Sequence, residues 1–215
     1  MIIQKNKPMR ERVYEILKKM IIDGEISPEE KIVETEYAEK FQISRTPLRE
    51  AIRMLELEGY VEAHSRGGVI VKNCTKEDVE EIYKIRIALE GIILEEVIKK
   101  SSQSDIKKLE KIIKETKEIM VENKNNGDIF KLFSKFNNTL YSIAKMSRVE
   151  DLIKNMNLYL KRFRKMAVED FERKKQASDD HVELVNAIKE KDINKALEIN
   201  KIHLERSKNF IISEI

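Results

Sequence analysis

Three arginines recur every four residues within one short segment of the chain. Arg45, Arg49 and Arg53 have this spacing, which places them on one face of a helix. Guanidinium groups on such a face can bind DNA phosphates and guanine edges. The apolar residues of the segment predict a second, buried face: Leu48, Ile52 and Leu55. This pattern is typical of a helix that reads the major groove, and the alternative is a solvated cationic face on a surface helix.

The surrounding residues predict two helices before the arginine segment. They are expected at about 10–23, ended by Gly24, and at about 35–41, with a tight connection over 42–44. Ser44 or Thr46 can then cap the arginine helix. Helix, short turn and helix form the arrangement in which one helix crosses the DNA backbone and the next enters the groove.

After Gly59 the apolar period changes from that of a helix to that of a strand. Residues 60–63 and 69–72 read as two strands of a hairpin. The tip between them contains two glycines, which allow the positive φ that such a tip needs. A tip with His64 and Arg66 beside the bare backbone of Gly67 can lie on phosphates or enter a minor groove. The alternative is an ordinary surface hairpin.

Composition limits the class of protein. The 215 residues allow one large domain or two modest ones. Charged residues make up 38% and aromatic residues 6%, which favours helical packing over a β-rich core. The net charge of +3 is too small to attract nucleic acid by itself, so binding would depend on local placement of Arg and Lys. A single cysteine and the lack of a long apolar run favour a cytoplasmic protein without a membrane partner.

The second part of the chain has only helical patterns. We place the domain boundary at the hinge around Cys74, which gives domains 1–74 and 75–215. Thr75 and Asp78 form a plausible capping pair for a helix that runs to about Lys100. Later helices are expected to begin near five residues: Asp105, Asp128, Arg148, Ser178 and Asp192. We expect the helix from Arg148 to continue to about residue 171, so the domain is predicted to be an antiparallel bundle of about six helices.

Polar residues interrupt the inward faces of several of these helices. Arg86 and Glu90 share an apolar face, where burial would require each to have a partner. Asn137, His181 and His203 lie in other apolar stripes. Each alone is most simply a satisfied polar core residue, but with Arg86 they can line one cavity inside the bundle. Arg86 is then the expected partner of a carboxylate ligand.

The amino-terminal motifs resemble the winged helix-turn-helix of the GntR family of bacterial transcription regulators. Four segments carry the resemblance: Gly24–Ile32, Tyr37–Phe41, Ser44–Ile52 and Leu55–Val61. It implies that Arg45, Thr46, Arg49 and the wing tip touch operator DNA. One departure is Thr35, where some members have an arginine that reaches DNA. The predicted DNA-binding set has eight residues: Ser44, Arg45, Thr46, Arg49, Arg53, His64, Arg66 and Gly67.

The helical domain resembles the FCD ligand-binding domain of the FadR branch of that family. The matching segments are Tyr83–Glu90, Phe136–Val149 and His181–Leu204. Six helices suggest its smaller, VanR-like subgroup. The effector-binding residues are predicted to be Arg86, Asn137, His181 and His203.

Many FCD domains hold a divalent metal with one Asp and three His. In this chain Phe133 and Asn137 stand at the Asp position and the first His position, so only His181 and His203 remain. Two imidazoles and an amide are a poor donor set for zinc. We therefore expect an organic anion to bind with little or no help from a tightly bound metal. The alternative is a loose site for Zn, Ni or Mn on His181, His203 and Asn137.

These expectations favour a ligand-responsive transcription regulator rather than an enzyme. It would bind a palindromic operator as a homodimer, and a small organic acid in the helical domain would modulate DNA binding. The alternative is a metal-binding or enzymatic bundle with an appended nucleic-acid-binding domain. The sequence offers no nucleophile–base pair and no complete catalytic metal set in support of that alternative.

Overall fold

The computed structural model describes residues 7–65, 67–121 and 126–215. Contacts divide the chain into two compact units, Met1–Cys74 and Thr75–Ile215. Helices dominate both units, and the first also holds a small sheet. This confirms the predicted fold class, a winged helix-turn-helix followed by a helical bundle. Among the described residues, no helix is long and apolar enough to cross a membrane.

The first unit packs three helices beside a three-stranded antiparallel sheet of order β1-β3-β2. Its elements are α1 (Met9–Asp23), β1 (Lys31–Ile32), α2 (Glu34–Phe41), α3 (Arg45–Leu57), β2 (Val61–Ala63) and β3 (Val69–Val71). Leu17 of α1 and Leu48 and Leu55 of α3 are fully buried in its core. The apolar stripe expected on the arginine helix therefore faces the core and leaves the arginine face outward.

Left-handed residues end both helices that precede α3. Gly24 ends α1 in the left-handed region, at φ +80°. Gln42 ends α2 in the same region, at φ 54°, so the connection to α3 is as tight as predicted. Ser44 occupies the position before α3, but its side chain accepts no capping hydrogen bond from the described residues. The helix begins at Arg45, so Thr46 lies in its first turn and is not the cap.

The hairpin between β2 and β3 depends on Gly68, whose φ is +77°. A Cβ atom at this position would lie 3.0 Å from Lys31 Cε and 3.1 Å from the Ile32 carbonyl oxygen. The glycine therefore allows the hairpin to approach β1 closely.

A left-handed alanine costs about 1–2 kcal/mol. Gly68→Ala is expected to lower the free energy of unfolding of the first unit by more than this amount. Gly24→Ala is the matched control, because Gly24 has a similar φ and a Cβ there would meet no described atom within 4 Å. Calorimetric unfolding of both variants measures the difference. Equal losses would contradict a role for the close approach to β1.

The second unit contains seven helices within its described residues. They are α4 (Lys76–Lys100), α5 (Gln103–Val121), α6 (Asn126–Ala144), α7 (Ser147–Tyr159), α8 (Lys161–Glu169), α9 (Phe171–Glu190) and α10 (Ile193–Ser213). Thr75 and Asp78 form the expected capping box, with hydrogen bonds of 3.1 and 3.0 Å between side chain and backbone. The core collects apolar side chains from six of the helices, with Phe136 and Val97 almost fully buried.

The prediction of one helix over residues 148–171 is wrong. Leu160, whose side chain is fully buried, is the single non-helical residue between α7 and α8. Asp170 ends α8 and caps α9 by accepting a hydrogen bond of 2.7 Å from the Arg173 amide. The ninth helix therefore begins at Phe171, and Ser178 lies inside it.

The described bundle therefore has seven helices instead of about six. The VanR-like interpretation depended on a count of six, so its basis is removed. The segment contains no Gly or Pro to mark either break. Packing of Leu160 and capping by Asp170 decide the breaks instead. The sixth helix also begins earlier than predicted, at Asn126 instead of Asp128.

Candidate functional site

The predicted DNA-binding residues of α3 are exposed. Ser44, Arg45, Thr46, Arg49 and Arg53 all lie on the surface of the first unit. The residues buried on the other side of the helix are Leu48, Ala51, Ile52 and Leu55. The helix can therefore offer its arginines to a groove without losing its core contacts.

The wing contributes fewer described residues. Gly67 is exposed and His64 is partly exposed. The Gly67 amide donates to the His64 carbonyl oxygen at 2.9 Å, and the His64 amide donates to the Gly68 carbonyl oxygen at 3.0 Å, which closes the tip. Arg66, the remaining member of the predicted set, lies outside the described residues.

An ion pair that sequence reasoning missed orients Arg49. Its Nε atom donates to Glu34 Oε2 at 2.6 Å, and the arginine side chain remains 61% exposed. Glu34 is the first residue of α2, so the pair joins the two helices of the helix-turn-helix. Such exposed pairs contribute little to stability. Because Nε makes this bond, recognition of a base edge can use the two terminal nitrogens.

The structure brings all four predicted effector residues to one cavity of the second unit. Arg86, Asn137, His181 and His203 line a cavity of about 40 Å³. A second cavity of about 50 Å³ lies beside it. The two share five lining residues: Asn137, Arg164, His181, His203 and Ser207. Both volumes are those of a few water molecules, so an organic ligand requires the cavities to widen or join.

Arg86 has the partner that its burial demanded. Its Nη2 and Nε atoms donate to Glu90 Oε1 at 2.8 and 3.1 Å. Burial acts to lower the pKa of Arg86, but the nearby Glu90 carboxylate outweighs it and the pKa is raised. Arg86 is thus held as a cation whose charge Glu90 already balances.

The two histidines lie next to each other, with ring centroids 5.4 Å apart. His181 stacks on Phe136, with ring centroids 4.1 Å apart, and meets the edge of Phe133 at 5.0 Å. His203 Nδ1 lies 3.0 Å from Asp180 Oδ2. Burial lowers the pKa of both rings, and for His203 the Asp180 hydrogen bond opposes this only in part. Both imidazoles are therefore neutral hydrogen-bonding groups near pH 7.

Asp180 is a site residue that sequence reasoning missed. It follows Ser178, where the sequence predicts the start of a helix, but it lies within α9 and lines the first cavity. Besides His203, it accepts a hydrogen bond of 2.6 Å from Arg206 Nη1. Desolvation opposes its charge, but the His203 hydrogen bond and the nearby cations lower its pKa. Asp180 therefore fixes the orientation of the His203 ring.

The side chains of this cavity do not fit a tightly held metal ion. The two imidazoles have only the Asn137 amide as the other predicted donor, and Phe133 places an apolar ring beside His181. Asp180 already binds His203 and Arg206. Within the described ranges, no group of three or more His, Cys, Asp or Glu has a metal-holding arrangement. A structural or catalytic zinc site needs more strong donors than these.

Two arginines at the cavities were also missed. Arg164 of α8 lines both cavities, and Arg173 of α9 lines the second. Both lie in the segment where the helix boundaries were wrongly predicted, so their inward positions could not be read from the apolar period. Burial lowers the pKa of each guanidinium, which indicates a positive charge without full compensation.

The two cavity histidines predict that acid destabilises the second unit. Their pKa values lie below 6.5 in the folded protein, so the unfolded chain binds more protons and stability falls as the pH drops below about 6.5. Urea unfolding at about pH 7.5 and 5.5 measures this loss. A His181→Gln/His203→Gln variant should lose less stability over that interval. An unchanged pH dependence in the variant would contradict the assignment.

Comparison with known proteins agrees with this geometry. The model of the bacterial regulatory proteins of the gntR family matches residues 9–71, and the FCD domain model matches residues 81–206. The chain is 36% identical to the uncharacterized HTH-type transcriptional regulator YdhC of Bacillus subtilis, over 72% of this chain and 69% of that protein. It is 26% identical to the gluconate operon transcriptional repressor of the same species, over 89% of this chain and 79% of that protein.

The fold of Escherichia coli McbR/YncC is similar, with a TM-score of 0.72 at 18% identity over 97% of this chain and 99% of that chain. At this identity the match supports the fold alone. The two family models and the relative YdhC support a role in transcription regulation. The protein that carries this exposed arginine helix, hairpin wing and helical unit is thus a DNA-binding transcription regulator, not an enzyme. The chain is a member of the GntR family with an FCD domain.

Proposed function

We propose that the protein binds a palindromic operator as a homodimer and that a small organic acid in the helical unit modulates this binding. The observation that carries the effector proposal is the polar cavity, where Arg86, Asn137, His181 and His203 meet inside a helical bundle. Enclosed cavities with a few convergent polar groups are typical ligand sites. The names of two relatives, RspR and the gluconate operon protein, are those of repressors, and we propose repression for this chain as well.

The proposed DNA contacts are the exposed arginines of α3 and the tip of the wing. Selection of bound sequences from a random DNA pool is the test. We expect two symmetric half-sites whose centres lie about 10 base pairs, or a multiple of this, apart. Binding without sequence preference, or to a single unrepeated site, would contradict the proposal.

The homodimer proposal draws on α4, which has apolar residues on its outer side as well as in the core. Ile85, Ala88 and Ile92 are exposed at i, i+3 and i+7, the two isoleucines by 39% and 41%. An exposed apolar stripe on a helix whose opposite side is buried in the core suits an interface with a second copy. Analytical ultracentrifugation of the full chain is expected to give a dimer, and an Ile85→Lys/Ile92→Lys variant a monomer. A parent chain that is monomeric at about 10 µM would contradict this.

The effector is proposed to bind without a resident metal. Elemental analysis of protein purified without a histidine tag or chelator tests this, before and after addition of an organic acid. We expect substoichiometric Zn, Ni and Mn in both samples. Stoichiometric metal that disappears in a His181→Ala/His203→Ala variant would contradict the metal-free proposal.

A further inference from the structure

We propose that Arg164 and Arg173 hold the anionic groups of the effector and that this effector is a small dianion. The inference rests on the proposed function only in that it takes the helical unit to bind an organic anion. It differs from the sequence-based expectation, in which Arg86 was the carboxylate partner. The state of each arginine in the structure is the reason for the change.

Arg173 is buried with three of its five N–H donors unpaired among the described residues. Arg173 is only 7% exposed, and it lines the second cavity. Nη2 donates to the His203 carbonyl oxygen at 3.3 Å and to Ser207 Oγ. Nε and Nη1, by contrast, have no hydrogen-bond partner among the described residues. Buried donors of a charged group are costly to leave unpaired, so this guanidinium is prepared for an anion.

Arg164 occupies the boundary between the two cavities and lines both of them. Its guanidinium carbon lies 5.9 Å from the centre of the Phe130 ring, a contact that balances little of its charge. Burial is the main cause of its lowered pKa, and the positive charge of Arg86 adds to the effect. An anion beside Arg164 would remove this penalty.

The charges around the cavities do not cancel. Among the described lining residues there are four cations, Arg86, Arg164, Arg173 and Lys174, but only two carboxylates, Glu90 and Asp180. Glu90 pairs with Arg86. Asp180 pairs with Arg206, which lines neither cavity. The lining cations therefore outnumber the lining carboxylates by two. The histidines are neutral and Lys174 donates to Asn126 Oδ1 at 2.8 Å, so Arg164 and Arg173 are the guanidinium groups that no described lining carboxylate pairs with.

A ligand with two negative charges balances this excess, whereas a monoanion leaves a buried cation. The cavities are small, at about 40 and 50 Å³, and they meet at Asn137, His181 and His203. These three residues can donate hydrogen bonds to the middle of a ligand that spans both cavities, or accept hydrogen bonds from it. The ligand class is therefore a short dicarboxylate, with one carboxylate at Arg164 and the other at Arg173, or a small phosphate monoester, whose single phosphate carries both negative charges to these guanidinium groups.

Isothermal titration of the full chain without DNA tests the proposal. The probes are succinate and glutarate, their monocarboxylate counterparts butyrate and valerate, and glycerol phosphate. We expect at least one dianion to bind about 10-fold or more tightly than any monocarboxylate. The dicarboxylates and the phosphate monoester distinguish the two sources of the dianion. Failure of every dianion to bind, or equal binding of the monocarboxylates, would overturn the proposal.

Three variants assign the residues. Arg173→Gln and Arg164→Gln are each expected to weaken dianion binding by about 10- to 100-fold. Lys175→Gln is the matched control, because it removes one positive charge from an exposed position on the same helix as Arg173. It should leave the affinity unchanged. Equal effects of the control and the Arg173 variant would overturn the assignment.

The melting temperature of the ligand-free protein separates a binding role from a structural one. Arg173→Gln removes a buried, partly unpaired charge. The melting temperature of this variant is therefore expected to lie within a few degrees of the parent's or above it. Arg173→Lys keeps the charge and should retain part of the dianion affinity. A folded Arg173→Gln variant with full dianion affinity would refute the inference. Binding that depends on Arg173 but does not alter operator affinity would instead contradict the proposed function alone.

Discussion

The free energy of unfolding of the helical unit is expected to fall by about 3–5 kcal/mol when Glu90 is replaced by alanine. Glu90 accepts two hydrogen bonds from Arg86, and the side chains of the pair are only 11% and 4% exposed. Removal of the carboxylate leaves a buried guanidinium without its counterion. Urea unfolding of the ligand-free protein, followed by circular dichroism, measures the loss.

Glu96→Ala is the control for this substitution. Glu96 also lies on α4 and pairs with Lys99 and Lys100, but these lysine side chains are 64% and 40% exposed. Loss of such a surface pair should cost far less stability than loss of the buried pair. Joint replacement, Arg86→Met/Glu90→Leu, should recover most of the stability that Glu90→Ala loses. A Glu90→Ala variant as stable as the control would show that the buried pair has no such importance.

Arg45→Ala and Arg49→Ala are each expected to weaken specific operator binding by about 1–3 kcal/mol. Both side chains are exposed on α3, and neither belongs to the core, so the melting temperature should change little. Titration of each variant against the selected operator and against random DNA measures the effect. A residue that reads a base lowers only the affinity for the operator, whereas a phosphate contact lowers both affinities.

Arg148→Ala is the matched control for these two variants. It removes an exposed arginine from the second unit, and operator affinity should not change. Glu34→Ala provides a further comparison, because it removes the carboxylate that binds Arg49 Nε. If discrimination between operator and random DNA is unaltered in both arginine variants, these residues do not read the sequence.

The sequence predicted the two faces of α3 because an exposed cationic row and a buried apolar row follow the same helical period. It also predicted the four cavity residues, since a polar side chain within an apolar stripe is visible without tertiary information. It did not predict Arg164, Arg173 or Asp180 as site residues. Their positions depend on the helix ends at Leu160 and Asp170, and neither end has a Gly or Pro signal. Side-chain packing and one capping hydrogen bond decide these ends.

The short helix α8 is a separate segment of the cavity wall. It has nine residues, carries Arg164 and is joined to its neighbours through the single residues Leu160 and Asp170. The backbone hydrogen bond from the Asp170 amide to the Met166 carbonyl oxygen is long, at 3.4 Å. We therefore expect α8 to open locally while the flanking helices stay intact. Amide hydrogens of α8 should exchange with solvent faster than those of α9, and a bound anion at Arg164 should slow their exchange.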